Sequence, residues 1–208
     1  MDPISSPPPQ EPALYPKNAW YGACSPAEID EKPLGRTVCG ERIVFFLLDD
    51  YADWLSQKES RIADILGLCV EEGEEGPRLH IAIVESKYVS HLGAAEAKRS
   101  SKAQLLATLA TFQAALFGDP GRLDRDVWLA RLADMLLDAD IPPGCTPLLE
   151  RVRAKVRDGE AGISLRGYSH VFVHSAEPGA TQPGSEQIAI TDAGGLQALQ
   201  EVFERGEL

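Results

Sequence analysis

Two apolar runs joined by an acidic bend, with a glycine at each shoulder of the bend, constrain this chain more than any other feature. The first run is Ile62-Ala63-Asp64-Ile65-Leu66-Gly67-Leu68-Cys69-Val70 and the second is Leu79-His80-Ile81-Ala82-Ile83-Val84-Glu85. Between them lies Glu71-Glu72-Gly73-Glu74-Glu75-Gly76-Pro77. Apolar runs bounded by such a bend read as a pair of antiparallel strands. A bend centred on Glu74-Glu75 sets Asp64 opposite Glu85, and directly opposed residues on one face bring their Cβ atoms to about 5 Å. Pro77 and the length of the loop allow a register shift of about one or two residues. Alternation along the second strand then puts Glu85 and Lys87 on one face and Ser86 on the other.

The flanking segments supply helices. Tyr51, Trp54 and Leu55 fall at i, i+3, i+4 spacing after Asp49-Asp50, predicting a helix from Asp49 to about Glu59. An alanine-rich helix is expected over 93–117, stopped by Gly118-Asp119-Pro120. On it Lys98, Ser101, Gln104, Thr108 and Thr111 make a polar stripe beside an apolar one of Leu105, Leu109, Phe112 and Leu116. Further helices are predicted over about 123–139, 147–158 and Leu196–Phe203. Strands are predicted at Thr37-Val38-Cys39 and Arg42–Phe46, flanking Gly40-Glu41, and again at Ser169–His174 and Gln187–Thr191. Residues 1–13 are rich in proline and serine and read as a disordered tail. The pattern as a whole is α/β, a mixed sheet flanked by helices over 47–208, with a short β-containing extension over 14–46. The chain stops soon after Glu204-Arg205-Gly206, which reads as a piece of a longer protein.

Composition narrows the function classes. No run of about 18 apolar residues predicts a membrane span, and the N-terminus lacks the basic-then-apolar pattern of a secretory signal. The four cysteines (Cys24, Cys39, Cys69 and Cys145) show no C-x-x-C spacing, so free thiols in a reducing cytoplasm are expected rather than a zinc knuckle or redox pair. A net charge of −12 argues against tight, unaided binding to a phosphate backbone. His170 and His174 fall on a predicted strand, where a separation of four residues spans about 13 Å, so they read as structural rather than as a metal pair. Thr191-Asp192-Ala193-Gly194-Gly195 lacks the Lys-Ser/Thr of a phosphate loop and reads as a strand-to-helix turn.

Two acids and an amine at one end of a ribbon are what phosphodiester hydrolysis needs. Paired carboxylates hold one or two Mg²⁺ ions, the metal activates water and offsets charge on the phosphate, and a lysine orients or deprotonates that water. E-x-K by itself is a common surface pair. Here Glu85 ends an apolar strand, and an Asp opens the strand before it.

Ile62-Ala63-Asp64-Ile65-Leu66 followed by Ile83-Val84-Glu85-Ser86-Lys87-Tyr88 resembles the D…(D/E)-x-K signature of the PD-(D/E)XK nuclease superfamily, without the proline before Asp64. The resemblance implies a restriction-endonuclease-like sheet and DNA cleavage with Mg²⁺ (or Mn²⁺). By position it makes Asp64 and Glu85 metal ligands, Lys87 the catalytic lysine, Gln104 an active-site helix residue, and Lys98 and Lys102 contacts to substrate phosphates. Glu59 reads as surface charge rather than a further ligand. More loosely, the stretch from Asp49 onward resembles nuclease-like segments attached to HerA/FtsK-type ATPases in prokaryotic DNA defence, which implies DNA and such an ATPase as partners. A second resemblance points elsewhere: residues 15–46, YPKNAWYGACSPAEIDEKPLGRTVCGERIVFF, are similar to the opening of Rieske-type oxygenases of the vanillate demethylase kind. The C-x-H…C-x-x-H ligands of a Rieske cluster are absent from this sequence, so no ligand carries over. The expectation is therefore a Mg²⁺-dependent DNA endonuclease. The rivals are a non-catalytic adaptor on the same fold, binding DNA or a partner ATPase, and a truncated oxygenase fragment.

Overall fold

A computed structural model describes residues 33–38, 41–57, 61–119, 121–137, 146–174, 184–188 and 197–204. The chain begins there with strands β1 (Leu34–Val38) and β2 (Glu41–Leu47). A 3-10 turn, Leu48–Tyr51, then leads into the short helix α1 (Ala52–Leu55). The hairpin β3 (Ile65–Gly73) and β4 (Gly76–Ser90) follows, then helices α2 (Ala94–Phe117), α3 (Arg125–Met135) and α4 (Thr146–Arg157). Strands β5 (Gly162–His174), β6 (Gly184–Ile188) and β7 (Gln197–Glu204) complete the described part. The sheet has seven strands in the order β1-β2-β3-β4-β5-β7-β6. The first four form an antiparallel meander, β4–β5 and β5–β7 are parallel, and β6 returns antiparallel. The architecture is thus α/β with a mixed sheet and packed helices, as the sequence pattern predicts.

The hairpin sets the frame. Gly73 pairs with Gly76 across Glu74-Glu75, and the ladder runs from there to Ile65 opposite Val84. This is the register expected from the sequence, with no slip at Pro77. Gly76 sits at φ 112°, a conformation that costs a side-chain-bearing residue steric strain, so the bend needs glycine at this shoulder.

Register and alternation then send one set of side chains to one face. Val44, Phe46, Leu66, Leu68, Leu79, Ile81, Ile83 and Leu165 form a single buried core with Leu105, Leu109 and Phe112 of α2, Leu129 and Leu132 of α3, and Val152 and Val156 of α4. Each such side chain taken from water contributes about 1.5–3 kcal/mol. Helix α2 lies directly on β5 at Gly167, where an added Cβ would stand 2.5 Å from Leu109 Cδ1. Trp54, beside Leu55, packs on Trp128 and Phe112 with ring centroids 4.2 and 5.8 Å away. Residues 33–47, assigned by sequence mainly to the N-terminal segment, contribute β1, β2 and two core side chains.

Two expectations are corrected. Leu196–Phe203 is predicted as a helix, but its described residues, from Gln197 on, belong to strand β7, and Gly194 and Gly195 lie outside the described residues. Leu, Gln, Ala and Glu favour helix locally, but Ala198, Gln200 and Val202 alternate onto the buried face, and pairing with β5 outweighs that weak propensity. The helix predicted from Asp49 to about Glu59 is a 3-10 turn plus one turn of α-helix, ended by Ser56 in the left-handed region at φ 52°. Residues 1–32, Glu59, Cys24, Cys39 and Cys145 lie outside the described residues.

Candidate active site

Asp64 immediately precedes β3, where the backbone is held from three sides. Its carbonyl accepts from Leu48 N at 2.9 Å. Ala63 N donates to Thr108 Oγ1 of α2 at 2.9 Å, and Gln104 Nε2 donates to the Ile62 carbonyl at 3.4 Å. Its own carboxylate reaches across the ribbon, where Oδ2 accepts from Ser86 N at 2.7 Å. The hydrogen bond fixes Asp64 against the β4 segment that carries Glu85.

Glu85 has no exposed surface, and neither of its oxygens receives a well-aligned hydrogen bond. The Lys87 ammonium stands 2.7 Å from Oε1 as an ion pair. Burial is the main cause that lifts the Glu85 carboxyl to about 7, and the Asp64 charge adds to it. Contact with Lys87 works in the other direction without cancelling the rise. Lys87, two residues along and on the same face, keeps part of its side chain open to solvent. The structure therefore brings Asp64, Glu85 and Lys87 together at one end of the hairpin.

A buried carboxylate that has an ammonium partner and a neighbouring acid is stabilised by a proton or a further cation. The donor set suits a hard divalent ion, which takes carboxylate oxygens and leaves its other positions to water or substrate oxygens. Among the described residues no group of three or more His, Cys, Asp or Glu gathers for a metal, so Asp64 and Glu85 are the described carboxylates that would ligate here.

The remaining predicted residues occupy α2. Gln104 acts on the backbone leading to Asp64 rather than on the carboxylates. Lys98 and Lys102 are both partly exposed on the N-terminal half of the helix. Ser101 and Thr108 are buried against the sheet rather than solvated.

Two residues that the sequence reading passed over complete this environment. Ser169 is the β5 partner of Glu85, and its Oγ lies 2.7 Å from Ser101 Oγ. Gln200 of β7 donates through Nε2 to Ser169 Oγ and to the Lys98 carbonyl, each at 2.9 Å. All five buried polar residues recorded among the described positions (Glu85, Ser101, Thr108, Ser169 and Gln200) belong to this end of the fold. A Gln between Ala198 and Val202 at period two was the available signal. His170 and His174 fall on β5 as expected, and burial depresses the His170 imidazole to about 4.

Comparisons with known proteins reach only part of the chain. A stretch of 60 residues, 29% of this chain, is 43% identical to the vanillate O-demethylase oxygenase subunit of Pseudomonas sp. (strain HR199 / DSM 7063). That stretch spans 14% of the relative, so the chain covers a small fraction of the protein it matches. The resemblance to a Rieske-type oxygenase is thus found as a partial one. No protein-family model matches, the nuclease superfamily included, and no solved structure matches. No described helix is long and apolar enough to cross a membrane.

Proposed function

We propose that this chain is a divalent-metal-dependent DNA endonuclease, working in the cytoplasm in a restriction or defence setting beside a HerA/FtsK-type ATPase. The observation that carries the catalytic part is a fully buried Glu85 with no aligned donor, set between the Asp64 carboxylate and the Lys87 ammonium. Asp64 and Glu85 would hold Mg²⁺ or Mn²⁺. When bound, such an ion lowers the pKa of a coordinated water and stabilises negative charge on the phosphate. Glu85 would serve as ligand in its deprotonated form, which ties activity to pH. Lys87 places a positive charge at the mouth of the site, where it orients the attacking water and offsets charge on the scissile phosphate. Gln104 and Thr108 hold residues 62–63 so that Asp64 keeps its reach to Ser86. Lys98 and Lys102 meet the flanking phosphates of the substrate. Nicking of supercoiled plasmid with Mg²⁺ or Mn²⁺ tests the reading: it is lost in Glu85→Ala and in Lys87→Ala, and unchanged nicking in both overturns it.

The net charge of −12 favours a second reading, a non-catalytic adaptor on the same fold. Calorimetric titration with Mn²⁺ separates them, because an adaptor shows no Asp64-dependent uptake. The partial oxygenase similarity favours a third, an oxygenase fragment, which requires bound iron and visible colour in the purified protein.

A further inference from the structure

At the other end of β4, on the opposite face of the sheet from Glu85, three side chains form a hydrogen-bonded chain. His80 and Ser164 are paired neighbours on β4 and β5, and Glu71 stands one step along β3, diagonal to His80. His80 Nδ1 lies 2.6 Å from Ser164 Oγ, and His80 Nε2 lies 2.8 Å from Glu71 Oε2. A carboxylate only accepts, so its contact selects the tautomer with the proton on Nε2. Nδ1 is then left with a lone pair aimed at the Ser164 hydroxyl, which donates to it. The result is a hydroxyl, a base within reach of its proton, and a carboxylate that orients the base. The two ring nitrogens exchange roles relative to the familiar serine hydrolases, but the parts played by nucleophile, base and orienting carboxylate are the same.

The group does not stand on a bare surface. His80 and Ser164 line a cavity of about 470 Å³, together with Arg78, Glu75, Glu160 and Gly162, within the range that holds small molecules. Arg78 crosses Gly162, where an added Cβ would lie 3.2 Å from its Cγ, so the glycine leaves room for the guanidinium stem along the cavity. Its head is held by Glu75 at 2.6 Å. This places the guanidinium of the Arg78–Glu75 ion pair in the cavity that contains the hydroxyl.

We infer that Ser164, His80 and Glu71 form a second catalytic site that hydrolyses small, uncharged carboxylic esters. The carboxylates of Glu75 and Glu160 in the cavity lining disfavour anionic ones. Ser164 Oγ bonds to the ester carbonyl carbon while its proton passes to His80 Nδ1, and the carbonyl π electrons move to oxygen, where Arg78 offsets the charge. Collapse breaks the bond to the alkoxide, which leaves with the proton from Nδ1. Water then attacks the acyl-serine and gives a proton to Nδ1, and Ser164 departs reprotonated. The balance is ester plus water to acid plus alcohol, with nothing oxidised or reduced.

The test uses the full chain with p-nitrophenyl acetate and, separately, a fluorophosphonate probe. The expected results are p-nitrophenol release with an acetyl or phosphonyl group on Ser164 by peptide mass spectrometry. Turnover should fall about 100-fold or more in Ser164→Ala and His80→Gln, and about 10-fold in Glu71→Gln. Ser100→Ala, a helix serine outside the cavity, retains the full rate. Far-UV circular dichroism matching the wild type makes each loss interpretable. An unchanged rate in Ser164→Ala, label on another residue, or no turnover above buffer by the folded wild-type chain overturns the inference. None of these outcomes bears on plasmid nicking, which depends on Glu85.

Discussion

The β3–β4 hairpin carries acidic residues at each end, and the two ends treat their carboxylates in opposite ways. At the bend, Glu75 pairs with Arg78 and Glu71 with His80, all substantially open to water. At the far end, Glu85 has no exposed surface and no aligned donor. The same residue type in the same hairpin is exposed and paired in one place, and in the other is buried beside a second acid with Lys87 as its ion-pair partner. What differs is the covering. Glu85 is buried beside Ser169 of β5, whereas Glu71 and Glu75 remain exposed. Exposed ion pairs contribute little because water already serves them. A buried acid beside another acid carries a free-energy cost that a bound cation relieves. The comparison shows how burial, rather than residue type, can prepare a carboxylate for chemistry.

The sharpest break of this contrast is Glu85→Ala, which should lower plasmid nicking by at least about 100-fold and abolish calorimetric Mn²⁺ uptake. The matching change at the bend, Glu75→Gln, should leave both within about twofold. The second effect is on stability. The folded-state pKa of Glu85 is near 7 against an ordinary 4.5, so the folded chain keeps a proton that the unfolded chain releases. Stability of the metal-free protein should therefore fall as pH rises from about 4.5 to about 7, by on the order of 3 kcal/mol. Urea midpoints across that range should show the slope in the wild type and a flattened one in Glu85→Gln. An identical slope in the two proteins would refute the assignment to Glu85. Next in size is Gln200→Leu, which removes two donated hydrogen bonds at a buried position. It should cost about 1–3 kcal/mol in chemical denaturation. Smallest is the stability change in Glu75→Gln, where thermal unfolding should register less than about 1 kcal/mol.

Much of the ribbon was legible from local rules. A glycine on each side of Glu74-Glu75 and two apolar runs fixed the pairing, because a one-residue slip would turn every core side chain to the other face. Alternation then placed Glu85 and Lys87 together. The environment of Glu85 was not legible. Ser169, its neighbour on β5, is 84 residues distant in sequence, and Gln200 lies on a segment whose composition favoured a helix. Ser101 and Thr108 read as part of a polar stripe, yet the polar groups they meet (Ser169 Oγ and Ala63 N) come from elsewhere in the chain.

The sequence by itself determined the hairpin, its register and the side of the strand on which two acids and an amine emerge. These depend on turn stereochemistry and a two-residue period, both short-range. Tertiary structure alone decided that Glu85 is dry, that β7 is a strand, and that Ser169 and Gln200 stand beside the site. Those outcomes required α2, α3 and α4 to carry the chain back so that β5 could lie parallel to β4, and the desolvation of one carboxylate depends on what that distant strand and helix cover.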